Sequence, residues 1–184
     1  SPNYIMGIYE HPATRQWIVC LADLSTGEIR LGQAEDFNLT IKAIHQFKPK
    51  EILVRRLCQK RFKDQLASSI TMASARFGCL NEIILRDEKK QKEIANDVFG
   101  GDDLSKHPSG EIVGGLSLAC ALLSHFQSLQ LSLKQFRHIK PLVDPQTIRL
   151  DHIVIRDLEL LETSRSHDEK GSLLHQINYT HTPM

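Results

Sequence analysis

An α/β fold, in which a mixed sheet is flanked by helices, is the class that this sequence predicts. The chain opens with three strand-like segments separated by short turns. The apolar spacing then changes to that of a helix before another buried strand. A long helical segment rich in Leu and Ala follows near residue 120. Short turns favour antiparallel strands, whereas a helical crossover permits parallel ones, so the combination indicates a mixed sheet.

The first half of the chain predicts four strands and two helices. The strands are apolar runs or alternate apolar and polar side chains, at residues 4–9, 17–23, 28–32 and 51–55. Residues 36–47 have helical apolar spacing, with Asp36 or Asn38 as the N-cap. Pro49 ends this helix, and a second helix is expected near residues 60–69.

The second half predicts a fifth strand and further helices. The apolar run at residues 81–85 is predicted as the strand. Residues 87–98 predict a very polar helix, and residues 112–131 predict a helix that is largely buried because it lacks a charged face. Residues 136–143 are predicted to be extended. Later strand-like or helical segments are expected at residues 148–154, 157–162 and 172–178.

Composition is that of an ordinary globular protein and argues against several classes. Of 184 residues, 41% are hydrophobic and 24% charged, with a net charge of +1. The strongly basic surface of a DNA-gripping domain is therefore not expected. The four cysteines form no closely spaced pair, which argues against a zinc site. The wide spacing of the cysteines is consistent with reduced thiols, as in a cytoplasmic protein. No apolar run approaches the roughly 20 residues of a membrane span.

Several short motifs, taken in their order along the chain, resemble one known family. They are an Asp-x-Ser-Thr-Gly-Glu turn at 23–28, a Pro-x-Glu-Ile-Leu strand entry at 49–53, an Ala/Leu helix ending in an aromatic at 116–126, Ser172-Leu173-Leu174 and Thr182-Pro183-Met184. Together they resemble the connector domain of MutS-type DNA mismatch repair proteins and its entry into the helical core.

The resemblance implies a ribonuclease-H-like connector over residues 1–140 and the beginning of a mainly helical core domain over residues 141–184. Because the chain stops within the last motif, it is expected to be a piece of a longer protein. That protein would bind mismatched DNA as a homodimer, using ATP and magnesium, in the cytoplasm. The piece would link the mismatch reader to the core and relay nucleotide state.

No catalytic residue, metal ligand or cofactor is expected within this piece, and little direct contact with DNA. The chain contains no Gly-x-x-x-x-Gly-Lys-Ser/Thr loop that would cradle phosphates. It also contains no Phe-x-Glu, the wedge with which the family reads mismatches. The resemblance therefore places the ATPase and the mismatch reader outside this segment.

A docking surface for MutL is the partner site that the resemblance implies. By position, Lys92, Glu93 and Ile94 match the family's contact segment on the polar helix at 87–98. Some relatives carry glutamines there. The same pattern is also typical of an ordinary solvent-exposed helix, so the residues alone leave both interpretations open.

Two other functions remain alternatives at the level of sequence. Ribonuclease-H-like folds often carry metal-bound carboxylates, so a metal-dependent nuclease would use Asp23 with Glu51, Glu82 or Asp87. Asp23 also precedes a turn, where a carboxylate commonly binds backbone amides. An unrelated protein-interaction module is the second alternative. The basic stretch at residues 55–63 fits either a patch for phosphate or acidic partners or a solvated helix face.

Overall fold

The computed structural model describes residues 2–67, 75–100 and 112–142. The strands are β1 (Tyr4–Glu10), β2 (Trp17–Asp23), β3 (Glu28–Ala34), β4 (Glu51–Val54), β5 (Arg76–Cys79) and β6 (Ile139–Pro141). The α-helices are α1 (Phe37–Phe47), α2 (Gln59–Leu66), α3 (Glu82–Arg86), α4 (Glu88–Phe99) and α5 (Gly115–Ser128). A 3-10 turn (Arg56–Cys58) precedes α2.

The six strands form one mixed sheet in the order β5-β4-β1-β2-β3-β6. β1, β2 and β3 are antiparallel neighbours. β4 runs parallel to β1, β5 parallel to β4, and β6 parallel to β3. The predicted α/β class and its ribonuclease-H-like mixed sheet are confirmed. The segments predicted beyond residue 142, including the helical beginning of a core domain, lie outside the described residues.

The sheet separates two apolar layers because successive side chains of a strand point to opposite faces. On β1, Met6 and Ile8 belong to the layer beneath α1 and α2. Ile5 and Tyr9, which precede and follow this pair along β1, belong to the layer beneath α5. The middle strands have nearly continuous apolar sequences because helices cover both faces of the sheet.

Helix α1 begins and ends where the sequence predicts. The Oδ1 of Asp36 accepts a hydrogen bond from the backbone N–H of Leu39 at 2.9 Å, so the predicted cap is confirmed at Asp36. At the other end Lys48 adopts a left-handed conformation, with φ of 49°, directly before Pro49. These signals are local in the chain, which is why the sequence reveals them.

The prediction of a strand at residues 81–85 is wrong, because this run forms α3. The Oδ1 of Asn81 accepts hydrogen bonds from the backbone N–H groups of Ile83 at 3.0 Å and Ile84 at 3.3 Å, which starts a helix. Ile84 and Leu85 are buried, and their burial favours the packing of α3 against α5. The fifth strand is instead β5, whose half-exposed residues give little apolar signal. Short apolar runs do not distinguish strand from helix by periodicity.

Helix α5 packs directly against the sheet, and its predicted burial is confirmed. Leu118 and Leu122 are fully buried. They lie so close to β1 that a Cβ at Gly7 would stand 2.7 Å from Leu122 Cδ1 and 3.1 Å from Leu118 Cδ1. α3 and α4 in turn pack chiefly against α5. The helix therefore joins the sheet to the outer helices on this face.

The turn between β2 and β3 packs against the segment that precedes β6. Gly27 has a φ of +75°, and a Cβ there would stand 2.2 Å from the backbone oxygen of Gln135. Gly100 has nearly the same φ, +72°, but a Cβ there would meet no atom of the described residues within 4 Å. The two glycines share a backbone conformation and differ in their surroundings.

We predict that Gly27→Ala lowers the free energy of unfolding by about 3 kcal/mol, from left-handed strain plus a clash with backbone. Gly100→Ala should lower it by about 1 kcal/mol, from strain alone. Urea unfolding of both variants measures the difference. Equal losses would show that the turn is not packed against Gln135.

Candidate partner-docking site on helix α4

Helix α4 is fixed at both ends by residues that suit those positions. The Oδ1 of Asp87 accepts hydrogen bonds from the backbone N–H groups of Lys89 and Lys90, each at 3.1 Å. Gly100 is left-handed, and its N–H donates to the Asn96 oxygen at 2.9 Å. The predicted polar helix at 87–98 is therefore confirmed, with a boundary shift of one residue.

One stripe of α4 is buried and the rest faces solvent. Gln91, Ala95 and Phe99, spaced four residues apart, form the buried stripe. Of the predicted contact residues, Lys92 and Glu93 are exposed. Ile94 is half-buried and packs against the core beneath α5. The three residues are therefore consecutive on α4, but only Lys92 and Glu93 face solvent, whereas Ile94 also supports the fold.

Gln91 ties α4 to both neighbouring helices. It is only 6% exposed, and its Nε2 donates to the backbone oxygen of Ile84 at 2.7 Å. The Sγ of Cys120 on α5 donates to the Gln91 backbone oxygen at 3.3 Å. Burial raises the pKa of the Cys120 thiol to about 12, so the thiol stays protonated. A buried polar group is stable only when bonded, so these contacts fix the position of α4.

The exposed face of α4 carries charges of both signs. Glu88, Lys92 and Glu93 form no ion pair within the described residues. Charged side chains that are not paired within their own domain are free to pair with a partner. The arrangement suits recognition of a protein surface with mixed charge.

An ion-pair network that the sequence did not reveal positions α3 beside α4. Arg55 donates to both carboxylate oxygens of Glu82, with Nε at 3.0 and 3.1 Å and Nη2 at 2.9 Å. Arg86 adds a contact to the same carboxylate at 3.4 Å. The Arg55 hydrogen bonds hold the pKa of Glu82 below its ordinary value. Arg55 and Glu82 are 27 residues apart, so no local pattern indicates the pair.

The carboxylates considered for a nuclease site are used separately. Asp23 pairs with Tyr4 and Glu51 with Ile5, successive residues of β1, so the two point to opposite faces of the sheet. Glu51 contacts the Nε2 of His125 on α5 at 3.4 Å. Glu82 binds Arg55, and Asp87 caps α4. The described residues contain no cluster of three His, Cys, Asp or Glu that could hold a metal ion.

The predicted turn role of Asp23 is confirmed. Its Oδ1 accepts hydrogen bonds from the backbone N–H of Ser25 at 2.9 Å and from the Ser25 hydroxyl at 2.6 Å. Burial by itself raises the pKa of Asp23, but these hydrogen bonds outweigh it and bring the pKa below its ordinary value. The carboxylate is therefore ionised and committed to the turn.

The basic stretch at residues 55–63 is partly occupied by internal contacts. Arg55 is paired with Glu82, and Lys60 pairs with Asp64 at 2.9 Å. The guanidinium of Arg61 lies 4.0 Å from the centre of the Phe37 ring, a cation–π contact. Arg61 therefore packs on the face formed by α1 and α2, whereas Arg55 binds α3. Across the described part of the chain, no helix is long and apolar enough to cross a bilayer.

The strand order and flanking helices define a ribonuclease-H-like α/β domain of the connector type. Residues 3–140 match the family MutS domain II. The chain therefore belongs to the MutS domain II family, the connector of DNA mismatch repair proteins. The family match favours this assignment over an unrelated interaction module.

Several curated DNA mismatch repair proteins named MutS match the chain at low sequence identity. The chain is 30% identical to the DNA mismatch repair protein MutS of Clostridium perfringens in an alignment that covers 99% of the chain. It is 26% identical to that of Caldanaerobacter subterraneus in an alignment that covers 100% of the chain. It is 23% identical to that of Staphylococcus epidermidis over 99%. The chain spans 18–21% of the length of these relatives.

We predict that Glu82→Gln destabilises the chain in a pH-dependent way. Because the folded pKa of Glu82 is depressed, its stabilising effect is complete above the ordinary Glu pKa of about 4.3 and is lost as pH falls through the folded value. At pH 7 the substitution should lower the free energy of unfolding by about 1–2 kcal/mol, since the Arg55–Glu82 pair is partly exposed.

Urea unfolding at pH 7 and pH 3 measures this effect, with Glu93→Gln as the control because Glu93 is exposed and unpaired. The difference between Glu82→Gln and the parent chain should shrink at pH 3, whereas Glu93→Gln should match the parent at both. A pH-independent loss in Glu82→Gln would contradict the ion-pair explanation.

Proposed function

We propose that this chain is the connector segment of a MutS-type protein that binds mismatched DNA in an ATP-dependent manner. The match to MutS domain II over residues 3–140 carries this proposal. In the whole protein the segment links the mismatch-reading domain to the core. ATP and magnesium bind in a domain outside this chain, and the whole protein works as a homodimer in the cytoplasm.

The role of the segment itself is mechanical rather than catalytic. A sheet covered on both faces by helices moves as one body, because close-packed interiors resist gradual deformation. Such a body passes the nucleotide state of the core to the mismatch reader by rigid-body movement. The separate uses of Asp23, Glu51, Glu82 and Asp87 agree with this role.

A second role of the segment is to dock MutL through Lys92, Glu93 and Ile94. The exposure and free charges of Lys92 and Glu93 support it, as does the fixed position of α4. Ile94 lies at the edge of this proposed docking surface and also packs against the core. The predicted division into a connector at 1–140 and a core beginning at 141–184 remains part of this proposal.

Binding of the 184-residue chain to the N-terminal region of MutL from the same organism tests the docking role. Reversing both charges, Lys92→Glu with Glu93→Lys, should weaken binding by at least roughly fivefold, because it opposes the partner's charges. Biolayer interferometry measures the affinity. Ile94 is left intact because its burial would confuse binding with stability.

Arg56→Glu is the matched control, since Arg56 is exposed and lies beside α2 rather than α4. It should leave MutL binding within twofold of the parent chain. Binding that survives the charge reversal on α4 would place the docking surface elsewhere. No binding at high concentration would refute the docking role while leaving the family membership intact.

A further inference from the structure

Ile83 on α3 is a large apolar side chain that the fold leaves exposed. Its exposed fraction is 61%, whereas its neighbours Ile84 and Leu85 are 7% and 6% exposed. A β-branched residue on the open side of a five-residue helix adds little to helix stability. Single exposed apolar residues are common on protein surfaces, so the surroundings of Ile83 decide whether it has a role.

The backbone on both sides of Ile83 is held in place. Asn81 caps α3 by accepting the Ile83 and Ile84 N–H groups. Glu82 is held by Arg55 and Arg86, and the carbonyl of Ile84 accepts from Gln91. The Ile83 side chain is therefore presented from a rigid base, which lowers the entropy that a partner must remove on binding.

An open depression of about 600 Å³ lies beside Ile83. Its lining residues belong to α3 and to the first turn of α4: Glu82, Ile83, Arg86, Asp87 and Glu88. Glu88 also stands one helical turn before Lys92, on the same side of α4. Through Glu88, the depression therefore adjoins the side of α4 that carries Lys92.

The charges around this depression favour a basic partner group. Glu82 pairs with Arg55 and Arg86, and the Asp87 side chain accepts hydrogen bonds from backbone N–H groups. Glu88 is exposed and has no ion pair within the described residues. The three carboxylates of Glu82, Asp87 and Glu88 outnumber the two guanidiniums of Arg55 and Arg86, so the lining residues and their ion-pair partners carry a net negative charge.

We propose that Ile83 is the apolar anchor of the MutL-docking surface. The partner segment that it fits carries an apolar side chain, which packs on Ile83 in the depression, followed by a Lys or Arg that pairs with Glu88. This inference rests on the proposed docking role and names an apolar contact within it. Buried apolar anchors of this kind commonly dominate an interface.

The test compares Ile83→Asp with Leu57→Asp in the intact 184-residue chain, using the N-terminal region of MutL as the probe. Leu57 is the matched control because it is 71% exposed, is of the same size, and lies beside α2. Ile83→Asp should weaken binding by roughly tenfold or more, and Leu57→Asp by less than twofold. Glu88→Lys should weaken it by roughly threefold.

Circular dichroism and urea unfolding confirm that each variant is folded, and Ile83→Ala serves as a milder second variant. Binding that is lost on Lys92→Glu with Glu93→Lys but kept in Ile83→Asp would overturn the anchor and leave the docking role standing. Equal losses from Ile83→Asp and Leu57→Asp would also overturn it. If the parent chain itself does not bind, both proposals fail.

Discussion

The close packing of α5 against β1 is the constraint on which the rest of this domain depends. Gly7 leaves room for Leu118 and Leu122 to approach the sheet, and a Cβ at this position would require the Leu122 side chain to shift. Full burial of each leucine contributes about 1.5–3 kcal/mol. α3 and α4 pack chiefly on α5, so displacement of α5 would move the outer helices as well.

The helices on the two faces of the sheet are held by different kinds of contact. On one face, Trp17, Phe37 and Phe62 form an aromatic cluster covered by Arg61, and the basic residues of α2 take part in stability. On the other face, buried residues such as Ile84, Leu85 and Phe99 pack in the core with α5, and polar contacts add to them. Gln91 and the Arg55–Glu82 pair hold α3 and α4 at fixed positions and leave their outer surfaces to solvent.

Features that depend on neighbours in sequence were predictable, and features that depend on distant partners were not. The Asp36 cap, the Asp23 turn and the polar helix α4 each follow from a few adjacent residues. β5 was missed because this edge strand gains its structure from pairing with β4. α3 is an exception: its Asn81 cap is local, but a short apolar run does not distinguish strand from helix. The Arg55–Glu82 pair joins residues that have no relation along the chain.

The helix that carries the candidate residues was predictable, but the orientation of those residues was not. Resemblance to the family placed Lys92, Glu93 and Ile94 on one polar helix, and the structure describes all three on α4. That Ile94 faces partly inward could not be deduced from composition, because a polar helix with few apolar residues leaves its buried stripe ambiguous. Gln91, a polar residue in the buried stripe, follows no apolar pattern at all.

Hydrogen–deuterium exchange of the chain, with and without the N-terminal region of MutL, tests the central claim most directly. The claim is that a rigid sheet and α5 present α3 and α4 as the docking surface. Exchange should slow in residues 82–99 on binding and stay unchanged in α2 and residues 131–142. Slowing at α2 or at 131–142, with none in residues 82–99, would contradict the account.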